Sequence, residues 1–578
     1  MKNKLALALV SIIPLVVITS FYYRTGHQQA NKTPAYYKSF PGTVAFCAAV
    51  FNPADSAADI PALKGWGKYK WKISTTSDSA QYYFNQGLSM YYAFHTIEAV
   101  ASFARATRFD PDCAMGWYGM ALAYGPNINF SNSYRAPREA LIATAKSKEL
   151  MAKGTPLEKD LIMAIQHRYT SDTTISLAQL RQNYADAMKL VYNRYPETVD
   201  AMTLYADALL LLHPWDLYTQ DGQPKPWTPE IRSVLEKALS LAPSHPGANH
   251  YYIHTMEASL SPDAALNSAY VLDTLMPQVS HITHMPSHIY IRTGDFKRGL
   301  KVNDDAIAGY EQYLKAYAPV INGFGLYKVH NIHLKSSCAQ MAGNYKIAKE
   351  SADTVQHLIP ADYLAMKSGD GNYMQELYAQ PIINAVRFGK WDAILSAPIL
   401  DTLPYVSALQ HFSRGVAYSR QHNTQKAKLE LSALEIKMKD ETLKLNLDNF
   451  SAPYQVLEVA RLILKGVIAE DQKQHRPAVN FYQQAVTAED QLIYIEPRAW
   501  LLPTRQYLAN ALLKSGLNAQ AIKVFKADLK INPKNIWSLT GLHQAYLKTG
   551  NQRALAAVQL KLDSASAMKD VVIKKAVF

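Results

Sequence analysis

The chain has 578 residues, more than one core supports, so about two to four core units or one long repeat array are expected. Hydrophobic residues make up 48% and charged residues 19%, which excludes a disordered chain. The 60 Lys and Arg exceed the 47 Asp and Glu to give +13, but they are spread along the sequence with no run resembling a nucleic-acid arm. The excess reads as a solvated basic surface, with no nucleic-acid partner expected.

The first element is an address. Lys2 and Lys4 precede an apolar run from Leu5 to about Thr19, followed by Phe21, Tyr22, Tyr23 and Arg24. Residues 1–24 are expected to be a signal peptide or an N-terminal anchor. The rest is then exported, either periplasmic or anchored in the inner membrane and facing the periplasm. That anchor is the sole membrane contact expected. No A-x-A cleavage site stands out, and the run is marginal for a full span. Residues 25–79 mix Pro, Gly and Trp and are expected to wrap the first helices. Of the three cysteines, Cys47, Cys113 and Cys338, the last two lie in helical apolar patterns and are expected as small buried hydrophobes.

From residue 80 onward a 34-residue period emerges, that of the tetratricopeptide helix-turn-helix unit. The unit places a small residue at the eighth and twentieth positions, a large apolar one at the twenty-fourth, Ala at the twenty-seventh and Pro at the thirty-second. Gly87, Ala99, Phe103, Ala106 and Pro111 fall on those five places. Gly466, Ala478, Tyr482 and Ala485 repeat the pattern, as do Ala509, Ala521, Phe525 and Pro533. Small residues let helix backbones approach, the bulky one fills the gap, and Pro ends the second helix. The expected fold is all-α, a tetratricopeptide-like superhelix. Its divisions are an array over 80–355, an irregular helical region over 356–449 and a second array over 450–578. An irregular bundle with accidental matches is the alternative.

Eight of the 17 histidines crowd into one stretch: His245, His250, His254, His281, His284, His288, His330 and His333. Pro243 and Pro277 fix the register, so His250 and His284 are fifth places and His254 and His288 are ninth places. Gly343 makes His333 a fifth place, and His281 and His330 are second places. These positions of the first helix face the concave side, because steps of three and four keep to one helical face. The expected site is therefore a groove lined by His250, His254, Glu257, His281, His284, His288, Arg292, His330 and His333. A His-x3-His pair can share one divalent transition metal, and His250, His254, Glu257, His284 and His288 are the candidate ligands. Pro286 lies between His284 and His288 and is expected to weaken that geometry. Three other readings stay open: a polar core of satisfied histidines, an anion or peptide carboxylate held with Arg292, and a haem site. His95, His213 and His475 are expected at turns or solvated places. No HExxH, Walker A or GxGxxG pattern occurs.

The stretches DPDCAMGWYGMALAYGPNIN (110–129), HPWDLYTQDGQPKPWTPEI (213–231), HPGANHYYIHTMEAS (245–259), HMPSHIYIRTGDF (284–296) and HNIHLKSSCAQMAG (330–343) resemble a family of bacterial tetratricopeptide-repeat proteins. The resemblance implies repeat architecture and export over about residues 80–355, and it supplies no activity. Function is thus expected to be that of a repeat scaffold, without enzymatic activity, that binds a protein, peptide or small ligand in its concave groove. The alternative is a metal-binding protein or metal-dependent hydrolase using the same histidines. A weaker third reading is a helper in outer-membrane assembly or polysaccharide export.

Overall fold

A computed structural model describes residues 60–129, 138–316 and 326–578. The N-terminal apolar run, Cys47 and the first part of the 25–79 extension lie outside the described residues. Among the described residues there is no strand; a single antiparallel bridge, Tyr218 to Pro224, closes the Pro/Gly loop. None of the described helices is long and apolar enough to cross a membrane.

The first array comprises α1 (Asp78–Tyr92), α2 (Thr96–Phe109), α3 (Ala114–Ala123), α4 (Arg138–Leu150), α5 (Pro156–Ile165), α6 (Leu177–Arg194), α7 (Val199–Leu212) and α8 (Thr228–Leu241). It continues through α9 (Pro246–Met256), α10 (Leu266–Leu275), α11 (Ser280–His284), α12 (Pro286–Thr293), α13 (Phe296–Ala316), α14 (Leu326–Ala342) and α15 (Tyr345–Leu358). Short helices follow: α16 (Ala361–Leu364), α17 (Gly369–Tyr378), α18 (Gln380–Arg387) and α19 (Trp391–Ser396). The chain ends in four hairpins: α20 (Pro404–Arg420) with α21 (Thr424–Lys437), α22 (Pro453–Asp471) with α23 (His475–Asp490), α24 (Thr504–Lys514) with α25 (Asn518–Ile531), and α26 (Ile536–Thr549) with α27 (Gln552–Ser566). The chain is a helical-repeat solenoid of the tetratricopeptide type.

The repeat rule works through notches. A Cβ at Gly87 would lie 2.8 Å from the Phe103 ring, and one at Gly119, in the next hairpin, 2.3 Å from it. Phe103 on α2 therefore fills a slot cut by two glycines of the flanking first helices, and it is fully buried. Tyr482 against Gly466 and Phe525 against Gly541 repeat the device in the second array, at 2.4 and 2.2 Å. Each slot lets helices approach closely and removes a large aromatic surface from water, worth roughly 2–3 kcal/mol per ring.

The segment before α1 lies across the first helices. Ile60, Leu63, Trp66 and Ile73 are buried, and the Leu63 N–H donates to Gln86 Oε1 at 2.8 Å. Cys113 and Cys338 are buried free thiols. The second array closes back on the first. Trp215 packs on Phe450, the Trp537 indole N–H donates to the Gln340 carbonyl at 2.8 Å, and Asp570 accepts from the N–H groups of Tyr345 and Lys346 that open α15.

Candidate metal centre

The site begins where α9 meets the end of α1. His245 caps α9, its Nδ1 accepting from the Ala248 N–H at 3.0 Å, so its Nε2–H faces Asp200. Pro246 starts the helix, where a missing N–H costs nothing. Gly247 follows, and a Cβ there would meet the Tyr92 ring at 2.4 Å. Close approach brings His250 onto the last carbonyls of α1, which lack partners inside their own helix. His250 Nδ1 accordingly donates to the Tyr92 carbonyl at 2.6 Å.

One turn on, His254 Nδ1 donates to Glu257 Oε1 at 2.8 Å. The other carboxylate oxygen, Oε2, accepts from His288 Nδ1 at 2.7 Å. His284 Nδ1 donates to Asn303 Oδ1 at 2.7 Å, and Asn303 Nδ2 donates to the Gly299 carbonyl, which fixes the amide with its oxygen toward the ring. All four Nδ1 atoms thus face acceptors and carry the proton, a tautomer assigned from their partners. In the neutral ring each Nε2 is then a bare lone pair.

Those lone pairs face one another. The Nε2 atoms of His250 and His254 are 3.1 Å apart, and those of His284 and His288 are 2.9 Å apart. A third imidazole joins each pair: ligand nitrogens of His250, His254 and His281 lie within 4.8 Å of one another, as do those of His284, His288 and His330. Two nitrogens on one tetrahedral ion with bonds of 2.0–2.1 Å would stand about 3.3 Å apart, close to both separations.

The surroundings are dry. His250, His254, His281, His284, His288 and Glu257 are 0–4% exposed, and His330 is half-buried. Burial drives His250, His281, His284 and His330 well below the usual imidazole range, and the neighbouring histidines add to it. His254 is lowered by burial against the pull of Glu257. Burial opposes the charge on His288 too, but there Glu257 outweighs it and the value rises. Burial would raise Glu257, yet His288 and His254 hold it down to about 2. It is a carboxylate.

The structure regroups the expected residues. Glu257 stands behind two rings with both oxygens engaged, so it orients ligands rather than serving as one. His281 and His330, read from sequence as groove positions, are the third members of the triads. His333 is buried beside Gln380 and belongs to neither triad. Arg292 points away from the rings, donating to the carbonyls of Glu257, Ser259 and Ile531. Pro286 does not spoil its pair: Met285 keeps right-handed helical dihedrals (φ −50°, ψ −38°), so α11 and α12 run on and His284 and His288 stay one turn apart. The histidine-bearing face is covered rather than open, because Tyr494 and Glu496 of the second array lie against it; the Tyr494 hydroxyl is 3.5 Å from Glu257 Oε2.

Sequence reasoning missed Asn303, the Tyr92 carbonyl and His95. His95 is buried, pairs with Glu98 at 2.8 Å, and stacks on Tyr327, whose ring in turn lies 4.6 Å from His281. The Glu three residues beyond His95 was the available signal. His213 lies at the end of α7, half-buried, with its ring stacked on Trp227 at 3.9 Å. His475 is exposed.

No protein-family model and no curated protein matches the sequence. Solved structures similar to this chain include a human IFIT1 dimer with m7Gppp-AAAA, 13% identical with a TM-score of 0.32, covering 90% of this chain and 96% of that one. Yeast Tom70 is 13% identical with a TM-score of 0.33, over 84% of this chain and 93% of that one. The APC/C hetero-tetramer Cut9–Hcn1 is 12% identical with a TM-score of 0.28, over 84% and 73%. Likeness this distant says nothing of what the chain binds.

Proposed function

We propose that this helical-repeat scaffold is a metal-binding protein holding two transition-metal ions, one on His250, His254 and His281 and one on His284, His288 and His330. Glu257 and Asn303 are the outer partners that set the tautomers. The basic, then apolar, N-terminal run supports action outside the cytoplasm.

The observation that carries this reading is the two pairs of opposed Nε2 atoms, backed by Nδ1 atoms that all face acceptors, each pair joined by a third imidazole. A shared proton relieves two facing lone pairs but not three. His281 sharpens the point. It is 2% exposed, and neither ring nitrogen has a hydrogen-bond partner among the described residues. An unsatisfied buried polar group costs about 1–3 kcal/mol, which a bound cation removes. Imidazole donors suit zinc, copper and nickel. A peptide groove, by contrast, needs these side chains at the surface, and they are covered.

The test is elemental analysis of the purified full chain, reconstituted with zinc, copper or nickel at neutral pH and freed of loose metal. Two ions per chain are expected, falling to one in His254→Gln and in His288→Gln. Substoichiometric uptake of all three metals sinks the proposal, because neutral imidazoles at that pH are competent ligands.

A further inference from the structure

Resting on the metal reading above, the charge around the two triads points to the ion they take. All six donors are imidazoles, which bind a metal as neutral ligands. Among the described residues no thiolate is near, since Cys113 and Cys338 belong to neither group. The carboxylate in contact with the rings, Glu257, has both oxygens occupied by imidazole N–H groups. Each ion would therefore bring its whole charge into the interior, with no ligand to cancel it.

The counter-charge available is small. Glu257 supplies one negative charge. Glu496 lies one step farther out, reached through the Tyr494 hydroxyl that donates to it. Arg292 offsets these: its guanidinium lies 5.6 Å from the Tyr494 ring centre and donates to the carbonyl of Glu257 itself. Two divalent ions would add four positive charges against the carboxylates of Glu257 and Glu496, whereas two monovalent ions would add two. Uncompensated charge in a protein interior costs several kcal/mol per ion.

Coordination number argues the same way. Zinc is four-coordinate, so three imidazoles leave it needing a water or an anion. Around the first triad the packing is aromatic: Phe94 lies 4.5 Å from His250, 5.8 Å from His254 and 5.7 Å from His281, and the Tyr327 ring 4.6 Å from His281, centre to centre. Trp215 adds an edge 5.3 Å from His254. Such a lid is a poor host for a water ligand, while its π face attracts a cation. A closed-shell monovalent ion content with three nitrogen donors fits both constraints.

We infer that each triad takes copper(I), so that the chain carries a pair of copper(I) ions. The scaffold holds them with imidazole donors, a single bridging carboxylate behind the rings and, over the first triad, an aromatic cover.

Metal-free full-length protein is titrated with copper(I) under anaerobic conditions in competition with bicinchoninate, and in parallel with zinc in competition with a chromophoric zinc chelator. The expected result is withdrawal of two copper(I) per chain, with zinc retained about tenfold or more less tightly. His281→Gln and His330→Gln should each lose one copper(I), His333→Gln none, and Glu257→Gln should weaken retention about 10–100-fold. Helical circular dichroism matching the parent shows that each variant is folded, and His333→Gln controls for loss of a buried imidazole as such. Two zinc ions bound while copper(I) stays with bicinchoninate would overturn this inference and leave the metal reading standing. Both metals left with their competitors would overturn both.

Discussion

Arg292 on α12 donates through Nη1 to the carbonyl oxygen of Ile531 at 3.0 Å, across 239 positions of sequence. Its Nε and Nη2 hold the carbonyls of Glu257 and Ser259 at 3.0 and 3.1 Å. One guanidinium thus ties the loop after α9 to the end of α25, where the second array folds over the histidines. Removing it leaves three carbonyls short of a charged donor. Arg292→Ala should destabilise the junction by about 2–4 kcal/mol, since hydrogen bonds to charged groups are worth about 1.5–3 each and lose part of that to water. Arg292→Lys should recover only part, because an ammonium cannot span three divergent acceptors. Differential scanning calorimetry reads the loss, and faster carbethoxylation of the buried histidines reads the opening.

Two glycines of the second array separate packing from backbone conformation. Gly466 sits within α22, and an added Cβ would stand 2.4 Å from the Tyr482 ring. Gly516 has φ +77°, with nothing within 4 Å of an added Cβ. Gly466→Ala should cost about 1–3 kcal/mol by overpacking. Gly516→Ala should cost about 1 kcal/mol through the left-handed backbone alone. Tyr482→Leu, which makes room, should reduce the first penalty and leave the second unchanged. Thermal unfolding of the three single and two double variants measures this; equal rescue at both glycines would refute the packing account.

The sequence spoke clearly wherever a feature repeats locally. Gly87 and Phe103 are found by counting, because the slot they share recurs at Gly466 with Tyr482 and at Gly541 with Phe525. His254 and Glu257 are found because residues three apart share a helical face. Membership of the triads was not legible. His281 reaches His250 only because α11 packs near α9, and Glu257 reaches His288 across 31 positions. Pro286 read as the kink or the start of a helix, and α12 does start there; the pair stays one turn apart because Met285 keeps helical dihedrals across the junction. His95 read as a turn residue; the turn is real, but Tyr327 covers it. The openness of the concave face also depended on distant sequence, since Tyr494 and Glu496 come from the other array.

His333 gives the metal-free protein an acid-sensitive element outside both triads. Burial holds its imidazole down to about 4 from an ordinary 6.5, with a weaker opposing effect from Gln380. Below 6.5 the unfolded chain takes up a proton that the folded chain refuses, so the unfolded state gains as pH falls. The stabilisation from a neutral His333 is complete above about pH 6.5 and is lost as pH drops toward 4, amounting to roughly 3 kcal/mol. His333→Gln should flatten the dependence of unfolding free energy on pH in that window. Denaturant titrations at pH 7, 5.5 and 4.5, on parent and variant, check it; parallel curves would refute the assignment.

Asn303 reaches one triad only. Its Oδ1 accepts from His284 Nδ1 at 2.7 Å, and its Nδ2 is anchored on the Gly299 carbonyl at 2.7 Å. Replacing it with Leu preserves the bulk and removes the acceptor. His284 can then place its proton on Nε2, the nitrogen that faces His288, and the lone pair needed for an ion is lost in that tautomer. Outer partners of this kind typically contribute 10–100-fold to affinity. Asn303→Leu should therefore split a uniform two-ion titration into one ion held as before, on His250, His254 and His281, and one held about 10–100-fold more weakly. Glu257→Gln touches a histidine of each triad and should weaken both. Competition titrations resolve the two classes; equal weakening of both ions by Asn303→Leu would show that its effect is on folding and not on the His284 tautomer.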